Sequence, residues 1–525
     1  MLLKRGLTLC LFMCLSFVAK SEEVQPNFLF IAVDDLNVFN TAMQHHESSF
    51  LQRVYPDETS RQQVYDRLTP NLASLAHKGV TFNYAYSAAP LCGPSRTALL
   101  TGVPPHISGY DNHQKHFRHH ESLANVVTLP QYLRRNGYFT AGVGKVFHKG
   151  RAVYEKGHFN DWPDRLFSWD EWLEMYVGNG NQSGLSPSAR ETLSPYYLGD
   201  EKSYKRFGIT EVQTEFSNDY RNMEFVAELL LNGESSRVDA NGEQRTVVLP
   251  KDKPFFLAAG MFAPHLPFVA EQKYFDLFPQ NEMAINGEFV EQLVDEVSGL
   301  STGADKLVRD SSFVQLLAQN EARGSGLGVA AFKAKLQAYL ATIAYADQSI
   351  GVLLNAIDEH PLSSNTVVIL WSDHGYHLGD KLREGKITLW EPANLANLII
   401  IDPRASDAMQ RTTDVKVSLQ DLYPTIVELA GLSIPRHVHG TSLVDVINND
   451  ESNWENAVLN TNGLGNHAVR TDEYRYIRYR DGSEELFNMV NDPFEIDNLV
   501  SSAESKEQLD SHRRLLDRLL AKRTH

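Results

Sequence analysis

The residues best suited to chemistry form one tight run, Cys92-Gly93-Pro94-Ser95-Arg96, followed by Leu100-Thr101-Gly102. A lone cysteine is commonly an inert buried residue. Here Arg96 sets a permanent cation nearby, which is expected to lower the thiol pKa and favour reactivity. Downstream, Gly137-Tyr138-Phe139-Thr140-Ala141-Gly142-Val143-Gly144-Lys145-Val146-Phe147-His148 supplies a second set of groups. Lys145 is a compact cation, and His148 can exchange a proton near neutral pH. The glycines around them permit close approach of backbone to a ligand. Asp34 and Asp35 are adjacent carboxylates, which repel one another unless a cation lies between them. Asp373 and His374 offer two more ligating groups. Oxygen-rich ligation points to a hard divalent ion and suits Ca²⁺, whereas the imidazole is commoner on Zn²⁺ or Mn²⁺, so the residues alone leave the metal open.

These groups need a frame. Asn27 to Val33 (NFLFIAV) is a nearly unbroken apolar run ending at Asp34-Asp35. Thr366 to Trp371 (TVVILW) ends at Ser372-Asp373-His374-Gly375, and Phe255 to Ala259 (FFLAA) leads to Pro264-His265. Such runs read as buried parallel strands. Helical patterns alternate with them, at Leu336 to Ile357 and Leu419 to Leu432. The pattern predicts a doubly wound α/β sheet, whose ligands bind beyond the carboxyl ends of the strands. Residues 38–66, 176–203 and 280–330 read as inserted loops. The polar stretch 448–453 reads as a linker, with short strands after it and a basic helical tail. The expected organisation is a leading segment over 1–21, a large domain over 22–449, and a smaller α+β subdomain with an antiparallel sheet over 450–525.

Both motifs resemble the two signatures of the formylglycine-dependent (type I) sulfatases, C-x-P-S-R-x-x-x-L-T-G and G-Y-x-T-x-x-x-G-K-x-x-H. Val33-Asp34-Asp35-Leu36, GKVFH, PHLPF after the FFLAA strand, SDHGYHLGD and EELFNMVNDP are similar to the iduronate-2-sulfatase-like branch. The resemblance implies an alkaline-phosphatase-like fold and Ca²⁺ held by Asp34, Asp35, Asp373 and His374 together with residue 92. It also implies that Cys92 is oxidised to formylglycine by a maturation enzyme, so that a hydroxyl of its hydrate attacks sulfur. Lys386 and His265 fall at sulfate-contacting positions, and Lys145 and Lys386 would neutralise charge developing on the sulfate oxygens; His148 would take the proton that releases sulfate, and His265 would protonate the leaving alcohol. Arg96 would help activate and orient residue 92. Members of that branch tend to carry a basic residue before the Pro-His pair, where this chain has Ala263. That departure turns the expectation toward algal polysaccharides such as carrageenan or ulvan, then glycosaminoglycans. A phosphonate or phosphodiester hydrolase of the same superfamily, or a silent sulfated-glycan binding protein, are the competing expectations.

His113, His116 and Arg118 lie in a His- and Lys-rich segment that could hold neighbouring sugars or a second sulfate. Lys4 and Arg5 precede an apolar run to Val18, with Ala19-Lys20-Ser21 beyond, the pattern of a signal peptide rather than a membrane span. Cys10 and Cys14 fall inside it, which leaves Cys92 alone in the mature chain. An exported chain without disulfides fits a bacterial periplasm or exterior. A formal charge of −17 argues against nucleic acid, which needs a basic footprint. It does not exclude a polyanion, since charges beyond about 8 Å are screened.

Overall fold

The computed structural model describes residues 25–113, 116–148, 164–173, 207–239, 243–298, 300–309, 311–405 and 410–521. The leading segment 1–21 and the stretch 176–203 lie outside the described residues.

The apolar runs form the middle of a nine-stranded sheet. β1 (Asn27–Asp34), β2 (Val80–Tyr86), β3 (Phe139–Val143), β4 (Glu171–Leu173), β5 (Phe255–Pro264) and β6 (Thr366–Ser372) are followed by β7 (Leu395–Ala396), β8 (Leu398–Ile401) and β9 (Arg411–Ser418). β1 is central and pairs in parallel with β6 on one side and β5 on the other. β3 continues the parallel set beyond β5, and β4 follows β3. The other half departs from the expected parallel arrangement: β8 runs antiparallel to both β6 and β2. The fold is therefore a mixed α/β sheet.

Alternate residues of β1 enter two different cores, which explains why the whole run is apolar. Leu29, Ile31 and Val33 face one cluster, and Phe28, Phe30 and Ala32 the other. Helix α1 (Cys92–Thr101) and helix α4 (Leu422–Leu429) cover the second face. Helix α2 (Asn218–Asn232) and the long helix α3 (Leu327–Glu359) cover the first. By length and composition α3 could cross a membrane, but 83% of its most apolar window is buried inside the protein.

Two of the expected loops contain helices. The end of 38–66 belongs to the helix Glu58–Leu68, which buries Val64, Tyr65 and Leu68. Within 280–330 it forms Gly287–Glu296, Thr302–Arg309 and Ser312–Glu321. After residue 457, β10 (Val458–Thr461), β11 (His467–Arg470), β12 (Tyr474–Arg478) and β13 (Glu484–Asn488) make an antiparallel meander. Helix α5 (Lys506–Ala521) closes it over Val469, Tyr476, Leu486, Leu509 and Leu516.

Candidate active site

The carboxyl ends of β1, β3, β5 and β6 deliver the chemistry to one place. Asp34 ends β1, and Asp35 turns the chain with φ of 59°. Aspartate tolerates that left-handed conformation better than most residues. The Asp35 N–H donates to Asp373 Oδ1 at 3.1 Å, and Tyr339 from α3 donates to the Asp35 carbonyl at 2.7 Å. The two strand ends are thus locked to each other and to a core helix.

The run around Cys92 folds as the buried first turns of α1. Pro94 is tolerated there because first-turn N–H groups have no partner within the helix. Ser95 Oγ donates to the Asp373 carbonyl. Arg96, fully buried, donates from Nε to Asp373 Oδ2 at 2.8 Å and from a terminal nitrogen to Asp34 Oδ1 at 3.1 Å. Its other terminal nitrogen donates to the carbonyls of Lys145 and Val146. Gly93 is required by His113, whose Cβ lies 2.6 Å from where a Cβ on Gly93 would stand.

Gly144 serves the protein's own backbone rather than a ligand, contrary to the expectation from its sequence. With φ of 74°, it packs so closely on Gly260 of β5 that a Cβ would fall 1.9 Å from the Gly260 carbonyl oxygen. This approach brings Lys145 to Asp34, with which it forms a buried ion pair. Lys386 pairs with Asp35, and its Nζ lies 2.9 Å from Cys92 Sγ. His374 Nε2 lies 3.3 Å from the same sulfur, and His265 Nε2 lies 3.8 Å from Asp35 Oδ2. The His148 ring stacks on His113 with centroids 4.5 Å apart. Its buried Nδ1 has no hydrogen-bond partner among the described residues.

The electrostatics follow from burial. Burial alone would raise the Asp34 carboxyl, but Lys145, His265 and Arg96 outweigh it and hold it far below the ordinary range. Asp35 experiences the same opposition, with Lys386 and the two histidines bringing it to about 2. For Asp373 the raising effect of burial is overcome by Arg96 and His374. The expected lowering of the Cys92 thiol by Arg96 is not what the structure gives. Burial pushes the thiol well above its ordinary value and Asp34 adds to this, with Lys145 and Lys386 opposing. The guanidinium still attracts a thiolate, but it does not outweigh burial. Burial also lowers His148, helped by Lys145 and His113.

The donor set fits a hard cation. Ligating atoms of Asp34, Asp35, Cys92 and His265 lie within 4.8 Å of one another, as do those of Cys92, Asp373 and His374. His374 Nδ1 is 2.8 Å from the Gly375 carbonyl, which can only accept, so Nε2 keeps its lone pair for the cluster. Three buried carboxylates with one imidazole nitrogen match the oxygen-rich preference of a divalent ion such as Ca²⁺.

Of the three expected sugar-binding residues, His113 reaches this site and two are engaged elsewhere. Arg118 is paired with the buried Asp164 and donates to the carbonyls of Ala124 and Val126. His116 is buried, and its Nδ1 accepts the Arg118 N–H at 3.3 Å. Asp219 of α2 was not legible as a site residue. Its two carboxylate oxygens accept the N–H groups of Phe262 and Ala263, each at 2.9 Å, and so fix the turn that presents His265. Burial raises its carboxyl to about 7 against those two hydrogen bonds.

The sulfatase family profile matches residues 26–432, and the profile of the N-sulphoglucosamine sulphohydrolase C-terminal region matches 385–524. A sulfatase of Formosa agariphila is 31% identical over 97% of this chain and 90% of its own. Human iduronate 2-sulfatase is 28% identical over 80% of this chain and 72% of its own. Among solved structures, the phosphonate monoester hydrolase of Silicibacter pomeroyi superposes with a TM-score of 0.72 at 18% identity, covering 95% of this chain and 96% of that one.

Proposed function

The chain belongs to the sulfatase family and is a sulfuric ester hydrolase, and we propose that it removes sulfate from a polysaccharide or its oligosaccharides. The proposal includes Ca²⁺ held by Asp34, Asp35, Asp373 and His374, and a formylglycine formed from Cys92 by a maturation enzyme. One observation carries it: Cys92 Sγ sits within 3.3 Å of both Lys386 Nζ and His374 Nε2, beside three buried carboxylates. When present, the cation would polarise a sulfate oxygen and the formylglycine hydrate would supply the nucleophile.

The side chains divide the remaining work. Lys145 and Lys386 place two ammonium groups where charge develops on the sulfate oxygens. Arg96 positions Asp34 and Asp373 and has no exposed surface with which to touch substrate. His148 is kept neutral by burial and carries a ring nitrogen with no hydrogen-bond partner among the described residues, which suits a proton acceptor. His265 donates from Nδ1 to the Leu266 carbonyl at 2.7 Å, so its Nε2 carries a transferable proton only in the imidazolium form. That form would protonate the leaving alcohol. His113, stacked on His148, remains a substrate-binding candidate. Ala263 is buried and brings no cation to a substrate carboxylate, which supports a carrageenan- or ulvan-type sugar before an iduronate. Export to a bacterial periplasm or exterior is part of the same proposal.

The test has two readings. The peptide containing residue 92, from protein made with a formylglycine-generating enzyme, should weigh about 18 Da less than its cysteine form. The matured protein should release sulfate from carrageenan, ulvan or glycosaminoglycan oligosaccharides faster than phosphate from matched phosphoryl esters. Faster phosphoryl hydrolysis would favour the phosphonate or phosphodiester reading. An intact thiol with saturable glycan binding and no turnover would favour a binding protein.

A further inference from the structure

We propose that Ile387 and Phe262 are specificity-determining residues that receive the apolar C–H face of the sugar ring carrying the sulfate. This rests on the sulfatase reading above and adds where the leaving group sits. The segment bearing Lys386 has an unusual backbone: Gly379, Lys381, Leu382, Gly385 and Ile387 all take positive φ, with Ile387 at 70°. Glycine adopts such angles without steric cost. Lys381 and Leu382 are buried, and Lys381 lies over the rings of Trp390 and Phe487, so packing offsets their strain.

Ile387 has no such compensation. A β-branched residue in the left-handed region is a genuine outlier, and this one is 45% exposed. Its conformation is fixed by its N–H, which donates to the Pro90 carbonyl at 3.0 Å, two residues before Cys92. The consequence is an apolar side chain held out toward solvent between Lys386 and the start of α1. Strain at a functional site persists when the surroundings over-determine it.

Phe262 is the counterpart at the other lysine. Its ring centroid lies 5.6 Å from Lys145 Nζ, it is partly exposed, and Asp219 anchors its N–H. The Lys145 ammonium thus has an apolar, partly accessible neighbour in Phe262, and Lys386 is followed in the chain by the exposed Ile387, held to Pro90 just before Cys92. A pyranose sulfate matches this pairing, since its charge is local and its ring presents C–H groups. Free sulfate has no C–H face and would not use the two apolar side chains.

The experiment compares wild type with Ile387→Gly and Ile387→Asn, two residues that accept positive φ, and with Phe262→Leu. Both Ile387 variants should keep or raise the unfolding temperature. Their kcat/KM on a sulfated oligosaccharide should fall about tenfold through KM, the worth of a partly buried aliphatic side chain. Phe262→Leu should lower it in the same way. Inhibition by inorganic sulfate should stay within about twofold of wild type. Unchanged kcat/KM in both folded Ile387 variants overturns the inference, as does an equal loss of sulfate affinity, which would mean that Ile387 only shapes the Lys386 pocket. A matured wild-type protein that neither hydrolyses sulfate esters nor binds sulfate overturns the sulfatase reading itself.

Discussion

Replacing Arg96 by lysine keeps the charge and removes the fork, and the structure says what that costs. The guanidinium spans Asp373 at 2.8 Å, Asp34 at 3.1 Å, the Val146 carbonyl at 3.1 Å and the Lys145 carbonyl. A lysine ammonium donates from one point and cannot reach two carboxylates and two carbonyls at once. Asp34 keeps Lys145, so the buried carboxylate left without its guanidinium is Asp373, which costs about 3–5 kcal/mol. An unsatisfied carbonyl adds roughly 1–3 kcal/mol, and the retained ammonium offsets a similar amount. With an unfolding entropy near 2.1 cal/mol/K per residue, a loss of about 3–5 kcal/mol lowers the midpoint of a chain this long by about 3–5 °C. Differential scanning calorimetry at pH 7 measures this, with and without added Ca²⁺. A cation shared by the carboxylates takes over part of their neutralisation, so Ca²⁺ should stabilise Arg96→Lys more than wild type. A midpoint within about 1 °C of wild type, with the same Ca²⁺ increment, would refute the reasoning.

Other consequences can be checked in parallel. Ca²⁺ at a hundred times its Kd should add about 2.7 kcal/mol of stability to wild type, and Asp35→Asn or Asp373→Asn should abolish most of that in a calorimetric titration. Glu495 is buried and raised to about 8 despite Arg475 and Lys381. Its folded value exceeds its unfolded one, so stability should fall as pH rises from about 4.5 to about 8; Glu495→Gln should flatten that slope in urea midpoints taken at pH 5 and pH 8. Burial lowers His265 despite Asp35, so its imidazolium form is lost below the usual histidine value as pH rises. Turnover of alkyl sulfates should fall along that limb, while aryl sulfates, whose leaving groups need less protonation, should not follow it. Asp219→Ala should reduce kcat on alkyl sulfates severalfold by releasing the His265 turn, and equal rates on both substrate types would count against that role.

The centre of the fold was legible because its strands are buried on both faces. NFLFIAV, FFLAA and TVVILW leave no room for solvent, and the polar residues that end them stand at the site. Strand direction was not legible: Leu398–Ile401 is as apolar as its neighbours, and composition does not distinguish parallel from antiparallel pairing. Glu58–Leu68 was missed because only Val64, Tyr65 and Leu68 are buried, too thin an apolar stripe to show a period. Arg118 looked free for substrate because its partner, Asp164, is remote in sequence. Asp219 belongs to no motif and acts through backbone N–H groups, which sequence does not display. Arg96 lies near Cys92, but the thiol is set by burial and by Asp34, which sequence does not display and which outweigh any lowering by the guanidinium.

That engagement has a consequence for how an acidic protein holds an anionic substrate. Asp34, Asp35 and Asp373 bring three negative charges to the cluster, and Arg96, Lys145 and Lys386 bring three positive ones. The ionised side chains cancel, inside a chain whose formal charge is −17. The lysines are paired with aspartates, so each can turn to sulfate only if another cation takes over its carboxylate. A divalent ion among Asp34, Asp35 and Asp373 would do this for both lysines and leave the cluster net positive. Inhibition by inorganic sulfate should therefore disappear on chelation and return with Ca²⁺. Inhibition that survives chelation would show that Lys145 and Lys386 are available without the ion, and that this charge balance does not govern binding.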